Sequence, residues 1–213
     1  MIKFKKVFIN IIPYLFAVAI CIFLSYTVGY QNLTLDEAFS VKLARMTIGD
    51  LVTASAADVH PPLFYIILRM FGAIGKQSLT AYRIISVVPI WLILCYIGAY
   101  KISKKYGVIS SVFFIGCFGG AYYTCEEAMN VRMYGWAAFF VIISFVYILE
   151  WFESRKTNKI IISAGFTVCA MYTHYFALLF CFFMWFVWEN SSKFLNHQEI
   201  NNGLFVEQEV SIS

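Results

Sequence analysis

The chain has 213 residues, of which 61% are hydrophobic, 19% aromatic and only 13% charged, and its mean hydropathy is +0.74. Ordinary soluble domains carry about 25% charged residues, so this composition excludes a typical water-soluble enzyme and marks an integral membrane protein. The net charge of +4 does not read as nucleic-acid binding, because the basic residues are parcelled into short loops between apolar runs, not gathered on one solvated face.

Lys3, Lys5 and Lys6 precede an uncharged apolar run over 7–29. At about 1.5 Å per residue this run crosses a hydrocarbon core of about 30 Å. The basic flank places the N-terminus in the cytoplasm. A cleaved signal peptide would have a shorter apolar core and a small-residue cleavage site, so an uncleaved first transmembrane helix is expected.

Residues 30–79 form a long first extracytoplasmic loop containing a polar island from Leu35 to Leu63. From Asp36 to Ile48, the apolar residues Ala38, Phe39, Leu43, Ala44 and Met46 recur at roughly helical spacing. They predict one short helix along the outer interface, with Asp50 capping a following turn. Pro61-Pro62 suits the first turn of a further helix, LFYIILRMFGAIG. Its apolar part ends near Gly72 to Gly75 and is about 20 Å long, which is short for a crossing, so this helix is expected to dip into the membrane without crossing it.

The run 80–100 ends in Lys101, Lys104 and Lys105, a basic cluster expected in the cytoplasm. Had the preceding helix crossed, these lysines would be outside. The run 107–124 then leads outward, and 130–150 returns to a second basic turn at Arg155, Lys156 and Lys159. The last apolar stretch, 160–188, is long for one crossing and has Tyr172-Thr173-His174 at its centre. It is predicted to divide into two short helices over 159–173 and 175–189 that meet near the outer face. Residues 190–213 are polar and aperiodic and read as a disordered tail.

The predicted fold is an all-α polytopic membrane protein with about six transmembrane helices, plus juxtamembrane helices in the first extracytoplasmic loop. Cys21, Cys95, Cys117, Cys125, Cys169 and Cys181 lie in the apolar runs without CxxC or metal-type spacing. Neither a disulfide framework nor a zinc site is indicated. No internal repeat supports an inverted-repeat transporter.

This topology brings Asp36, Glu37, Asp58, His60, Arg83, Glu126, Glu127, Arg132 and His174 to one side of the membrane, where ionisable groups are costly unless paired or functional. Asp36 and Glu37 are either first-turn acids at a helix N-terminus or, beside an arginine, a general base. Arg83 either snorkels to the headgroups or clamps a phosphate with its fixed paired donors. Arg132, followed by Tyr134, either pairs with Glu126 or Glu127 or takes the same phosphate role. His60 either orients the Pro-Pro turn or belongs to the site, and His174 either is a satisfied polar group within the bundle or belongs to the site. Acids and histidines suit Mn or Zn, but no spacing singles out a ligand set.

Four segments in order, LDEAFSV, DVHPPLFYIIL, AYRIISVVP and VRMYGW, resemble the N-terminal half of the GT-C membrane glycosyltransferases, within the protein O-mannosyltransferase and aminoarabinose-transferase group. The resemblance covers about residues 7–188. It implies transfer of a sugar, with inversion, from a polyprenyl-phosphate carrier to an extracytoplasmic acceptor, in the plasma membrane of a bacterial cell. By the same resemblance Asp36 matches the general base, with Glu37 completing the Asp-Glu pair. His60-Pro61-Pro62 matches the juxtamembrane motif, and Arg83 and Arg132 match the arginines that hold the donor phosphate. The chain departs from the pattern at Asn130, where the family has an acid two residues before the second arginine, and Glu126 or Glu127 would have to substitute. Family members are usually much longer. A truncated, inactive relative that binds lipid-linked sugar, or a scaffold or transporter component, therefore stands as the alternative.

Overall fold

The computed structural model describes residues 2–27, 34–58, 60–187 and 189–190. Among them every regular element is a helix, with no strand. The first apolar run forms α1 (Ile2–Thr27). The end of that run and the start of the loop, 28–33, together with the tail predicted beyond Asn190, lie outside the described residues.

The polar segment after α1 holds two helices where the sequence pattern predicted one, α2 (Leu35–Arg45) and α3 (Ile48–Ala56). The break comes from Met46, which is extended, and from Thr47, whose hydroxyl accepts the Asp50 N–H at 3.2 Å and donates to Asp50 Oδ2 at 2.7 Å. Thr47 is therefore the N-cap, and Asp50 is the third residue of α3, not a cap itself. Arg69 closes the other side of the break by donating to the Ala44 and Met46 carbonyls left open where α2 ends. Arg69 sits on α4 (Leu63–Ile74), which starts directly after Pro62 and stops at Gly75.

The next helical run comprises α5 (Leu79–Leu92), a π-wound stretch over Ile93–Ile102 and α6 (Ser103–Gly119). It doubles back at Gly107, where φ is +87°, a backbone region open to glycine and strained for other residues. Gly98 then faces Ile115 so closely that a Cβ there would lie 2.8 Å from its side chain, and Ser111 Oγ donates to the Gly98 carbonyl at 2.7 Å. The outward run predicted to reach residue 124 stops early at Gly119-Gly120. A separate short helix, α7 (Tyr122–Met129), follows.

α8 (Tyr134–Ser154) is the central element. α9 (Thr157–Met171) packs along it, and α10 (Tyr175–Val187) folds back on α9, since the Trp185 indole reaches Thr167 Oγ1 at 3.0 Å. Ser144 ties α8 to α9 through Ser163 Oγ at 2.9 Å and Thr167 Oγ1 at 2.7 Å. Such hydroxyl pairs join helices where apolar surface alone has no preference for protein over lipid.

Among the described residues two helical runs, Leu79–Gly119 and Tyr134–Ser154, are long and apolar enough to cross a membrane, each containing an 18-residue stretch with a mean hydropathy of 1.8. Asn10–Tyr26, Leu63–Ile74, Thr157–Met171 and Tyr175–Val187 are shorter apolar helices. Large apolar side chains including Phe113, Phe176 and Phe182 stand exposed, a surface that calls for lipid or protein contact.

The contact between α5 and α8 resolves a backbone defect. Pro89 has no N–H, so the Ile85 carbonyl four residues earlier loses its helical partner. The Trp136 indole N–H donates to that carbonyl at 3.1 Å. Gly135 allows the approach, since a Cβ there would already lie 3.2 Å from the Pro89 ring. Replacing Trp136 with Phe keeps an aromatic ring against Phe140 but orphans the carbonyl, and is expected to lower stability by about 1–3 kcal/mol. Thermal unfolding of the detergent-solubilised protein measures this directly.

Candidate functional site

Glu37 is fully buried and belongs to a capping box. Its Oε2 accepts the Thr34 N–H at 2.9 Å while Thr34 Oγ1 accepts the Glu37 N–H at 3.3 Å. Its other oxygen, Oε1, accepts the Val131 N–H at 3.0 Å and faces Arg83 Nε at 3.6 Å. One carboxylate therefore joins the start of α2, the α5 residue Arg83 and the turn carrying Arg132. The T-x-x-E pattern of Thr34 to Glu37 is the sequence signal for this cap.

Asp36, one residue earlier, points the other way. Its side chain is 73% exposed and its Oδ2 lies 3.6 Å from Arg132 Nη2, whereas the Arg132 side chain is only 11% exposed. The separation is beyond hydrogen-bonding reach, so the carboxylate keeps lone pairs free for another donor. Tyr134 lies against the same guanidinium, with its ring centre 5.6 Å away and its hydroxyl 3.5 Å from Nη2.

Arg83 is 4% exposed and is directed at Glu37, so it does not snorkel to the membrane surface. Glu126 and Glu127 are half-buried on α7. Burial, then the charge of Glu126, pushes the Glu127 carboxyl up, while Arg132 pulls it down. Arg132 thus has an acid within electrostatic reach from the preceding helix, although Asn130 occupies the position two residues before it.

The HPP segment docks on the turn between α9 and α10. The Leu63 N–H donates to the Tyr172 carbonyl at 3.0 Å, and the Ser55 hydroxyl donates to the His60 carbonyl at 2.7 Å. These contacts bring the His60 and His174 rings to 5.8 Å, with Asp58 Oδ2 3.1 Å from His60 Nδ1 and the Tyr134 ring 5.4 Å from His174. The Phe176 N–H donates to His174 Nδ1 at 3.1 Å, which selects the Nε2–H tautomer of a neutral ring. Burial, then His60 and Arg132, hold that imidazole below its ordinary value of 6.5.

The sequence pattern did not single out Tyr65. It lies on α4, fully buried, and its hydroxyl has no hydrogen-bond partner among the described residues. Burial pushes its phenol up to about 12, against the pull of Arg132 and with Asp58, Tyr134 and Asp36 nearby. A tyrosine one turn after Pro-Pro in an otherwise apolar helix is the available signal, because a buried phenol normally finds a partner. Asp36, Glu37, Asp58, His60, Arg83, Glu126, Glu127, Arg132, Tyr134 and His174 thus gather around the N-terminal end of α8. Among the described residues no three His, Cys, Asp or Glu side chains converge as a metal-holding group.

Two adjoining cavities flank this cluster and share Pro62 and Tyr172. One, of about 400 Å³, is lined by Ser55, His60 and Tyr175, and the other, of about 310 Å³, by Leu63, Ile66 and Val168. Comparison with family models, with curated proteins and with solved structures finds no match for this chain.

Because Glu37 is buried and compensates Arg83, Glu37→Ala is expected to cost about 3–5 kcal/mol, whereas Asp36→Ala, which loses an exposed pair, costs about 1 kcal/mol or less. Thermal unfolding of the two variants side by side tests this ordering. The neutral His174 ring contributes stability that is present above pH 6.5 and lost as pH falls through its depressed folded value. The unfolding temperature should therefore drop on acidification below pH 6.5, and His174→Gln should flatten that part of the profile.

Proposed function

We propose that this chain is an integral membrane glycosyltransferase that moves a sugar, with inversion, from a polyprenyl-phosphate donor to an acceptor hydroxyl on the extracytoplasmic side of the membrane. In this reading α1, the two arms of the Gly107 hairpin, α8, α9 and α10 make six crossings, with α2, α3, α4 and α7 beside the outer surface. The observation that carries the reading is the Asp36–Arg132 pair, an accessible carboxylate 3.6 Å from a nearly buried guanidinium. The ordered resemblance of the surrounding segments to the GT-C group supplies the reaction class.

The chemistry is a single displacement. Asp36 accepts the proton of the acceptor hydroxyl as its oxygen attacks the anomeric carbon, and the bond from that carbon to the phosphate oxygen breaks on the opposite face. The polyprenyl phosphate leaves as an anion that Arg132 stabilises, a charge developing where a fixed cation already stands. Arg83 and Glu37 act as positioning residues, since each is occupied with the other. The apolar cavities around Pro62 and Tyr172 suit the first units of the carrier chain, which requires an oily surface reaching the interface.

Asn130 favours a second reading, a non-catalytic binder of lipid-linked sugar in which the donor is held but never turned over. Membranes containing the chain, supplied with a labelled polyprenyl-phosphate sugar and assayed for sugar leaving the carrier, separate the two. Asp36→Asn is expected to slow that release by about 10²–10⁴-fold, the usual contribution of a positioned base, with donor still bound in native mass spectrometry. Full release by Asp36→Asn would remove the assignment of the base. Donor binding without release by the wild type would establish the second reading.

A further inference from the structure

The C-terminal end of α8 carries a second ionic site. It is separated from Tyr134, the first residue of α8, by about 24 Å of helix, counting sixteen residues to Glu150 at 1.5 Å each. There the Gly107 turn and α8 enclose a cavity of about 510 Å³. Its rim holds four ammonium groups and two carboxylates. Glu150 is shared between Lys101 at 2.5 Å and Lys159 at 2.6 Å, and Lys105 pairs with Glu153. Lys104 makes no ion pair among the described residues and lies over the Tyr100 ring at 5.8 Å.

The cavity therefore carries excess positive charge, and its lining also includes the apolar side chains Ile102, Val146 and Leu149. Beside it Tyr106 and Ile109 stand exposed, as side chains facing the headgroup and acyl boundary do. A purely soluble anion would use the cations and leave the apolar lining wet. A molecule with a phosphate at one end and hydrocarbon at the other satisfies both surfaces.

We propose that this cavity binds the headgroup phosphate of an anionic phospholipid of the surrounding leaflet, held by Lys104 and by Lys105, whose solvent-exposed pairing with Glu153 is weak enough for a phosphate to displace, with the acyl chains along Ile102, Val146 and Leu149. The site is independent of the transfer chemistry at the other end of the bundle and rests only on the chain being embedded in lipid.

The test is native mass spectrometry of the full chain in mild detergent, titrated separately with phosphatidylglycerol, with phosphatidylcholine of the same acyl chains, and with inorganic phosphate. The wild type should retain phosphatidylglycerol several-fold more than phosphatidylcholine and should retain no inorganic phosphate. A Lys104→Gln/Lys105→Gln variant should lose about tenfold or more of the phosphatidylglycerol adduct, as expected for two cations beside an anionic headgroup. The Lys104→Arg/Lys105→Arg variant should keep the adduct, showing that charge decides binding. Equal retention of the two lipids, or an unchanged adduct in the glutamine variant, would overturn the proposal, as would inorganic phosphate binding in place of the lipid.

Discussion

The candidate site depends on a carboxylate that faces away from solvent. Glu37 caps its own helix, accepts the Val131 amide from 94 residues further along the chain and faces Arg83 on α5. A buried charge tolerates few arrangements, because each unpaired lone pair or donor costs its full desolvation. That intolerance ties α2 to Arg83 of α5 and to the turn before α8, and hence sets where the neighbouring Asp36 emerges. The two adjacent acids divide the work. Glu37 is spent on position, and Asp36 is left accessible beside a cation.

The rest of the bundle is assembled by similar satisfaction of backbone and hydroxyl groups rather than by apolar burial alone. For helices that cross a membrane, lipid is as oily as leucine, so apolar packing gives weak guidance and specific polar contacts choose the partner. Pro89 frees a carbonyl and Trp136 takes it up; Ser144, Ser163 and Thr167 join α8 to α9, and Trp185 adds α10. Each of these is a short-range device with a long-range consequence, since together they hold α8 so that its first turn presents Tyr134 to both Arg132 and His174.

The two ends of α8 differ in chemistry. At its N-terminal end the acids and histidines outnumber the arginines, and Asp36 stays open to solvent. At its C-terminal end lysines outnumber glutamates around an amphipathic cavity.

Much of the architecture was legible in the sequence because it depends on local signals. The apolar runs, the helix after Pro61-Pro62, the reversal near Gly107 and the break at Tyr172 to His174 all follow from composition, proline and glycine within a few residues of where they act. Local signals also misled. Periodicity from Asp36 to Ile48 ran through the Thr47 cap, and the apolar stretch past Gly119 hid the start of α7. The grouping of acids, histidines and arginines was an expectation from the order of the apolar runs; their partners were not foreseen. That Arg83 turns inward to Glu37 and not outward to the surface, that Tyr65 joins the cluster, and that Glu127 stands near Arg132 where Asn130 breaks the expected pattern were decided only by tertiary packing. A residue's own neighbours determine whether it is helical, but the partner of a buried charge is whichever group the whole fold brings within reach.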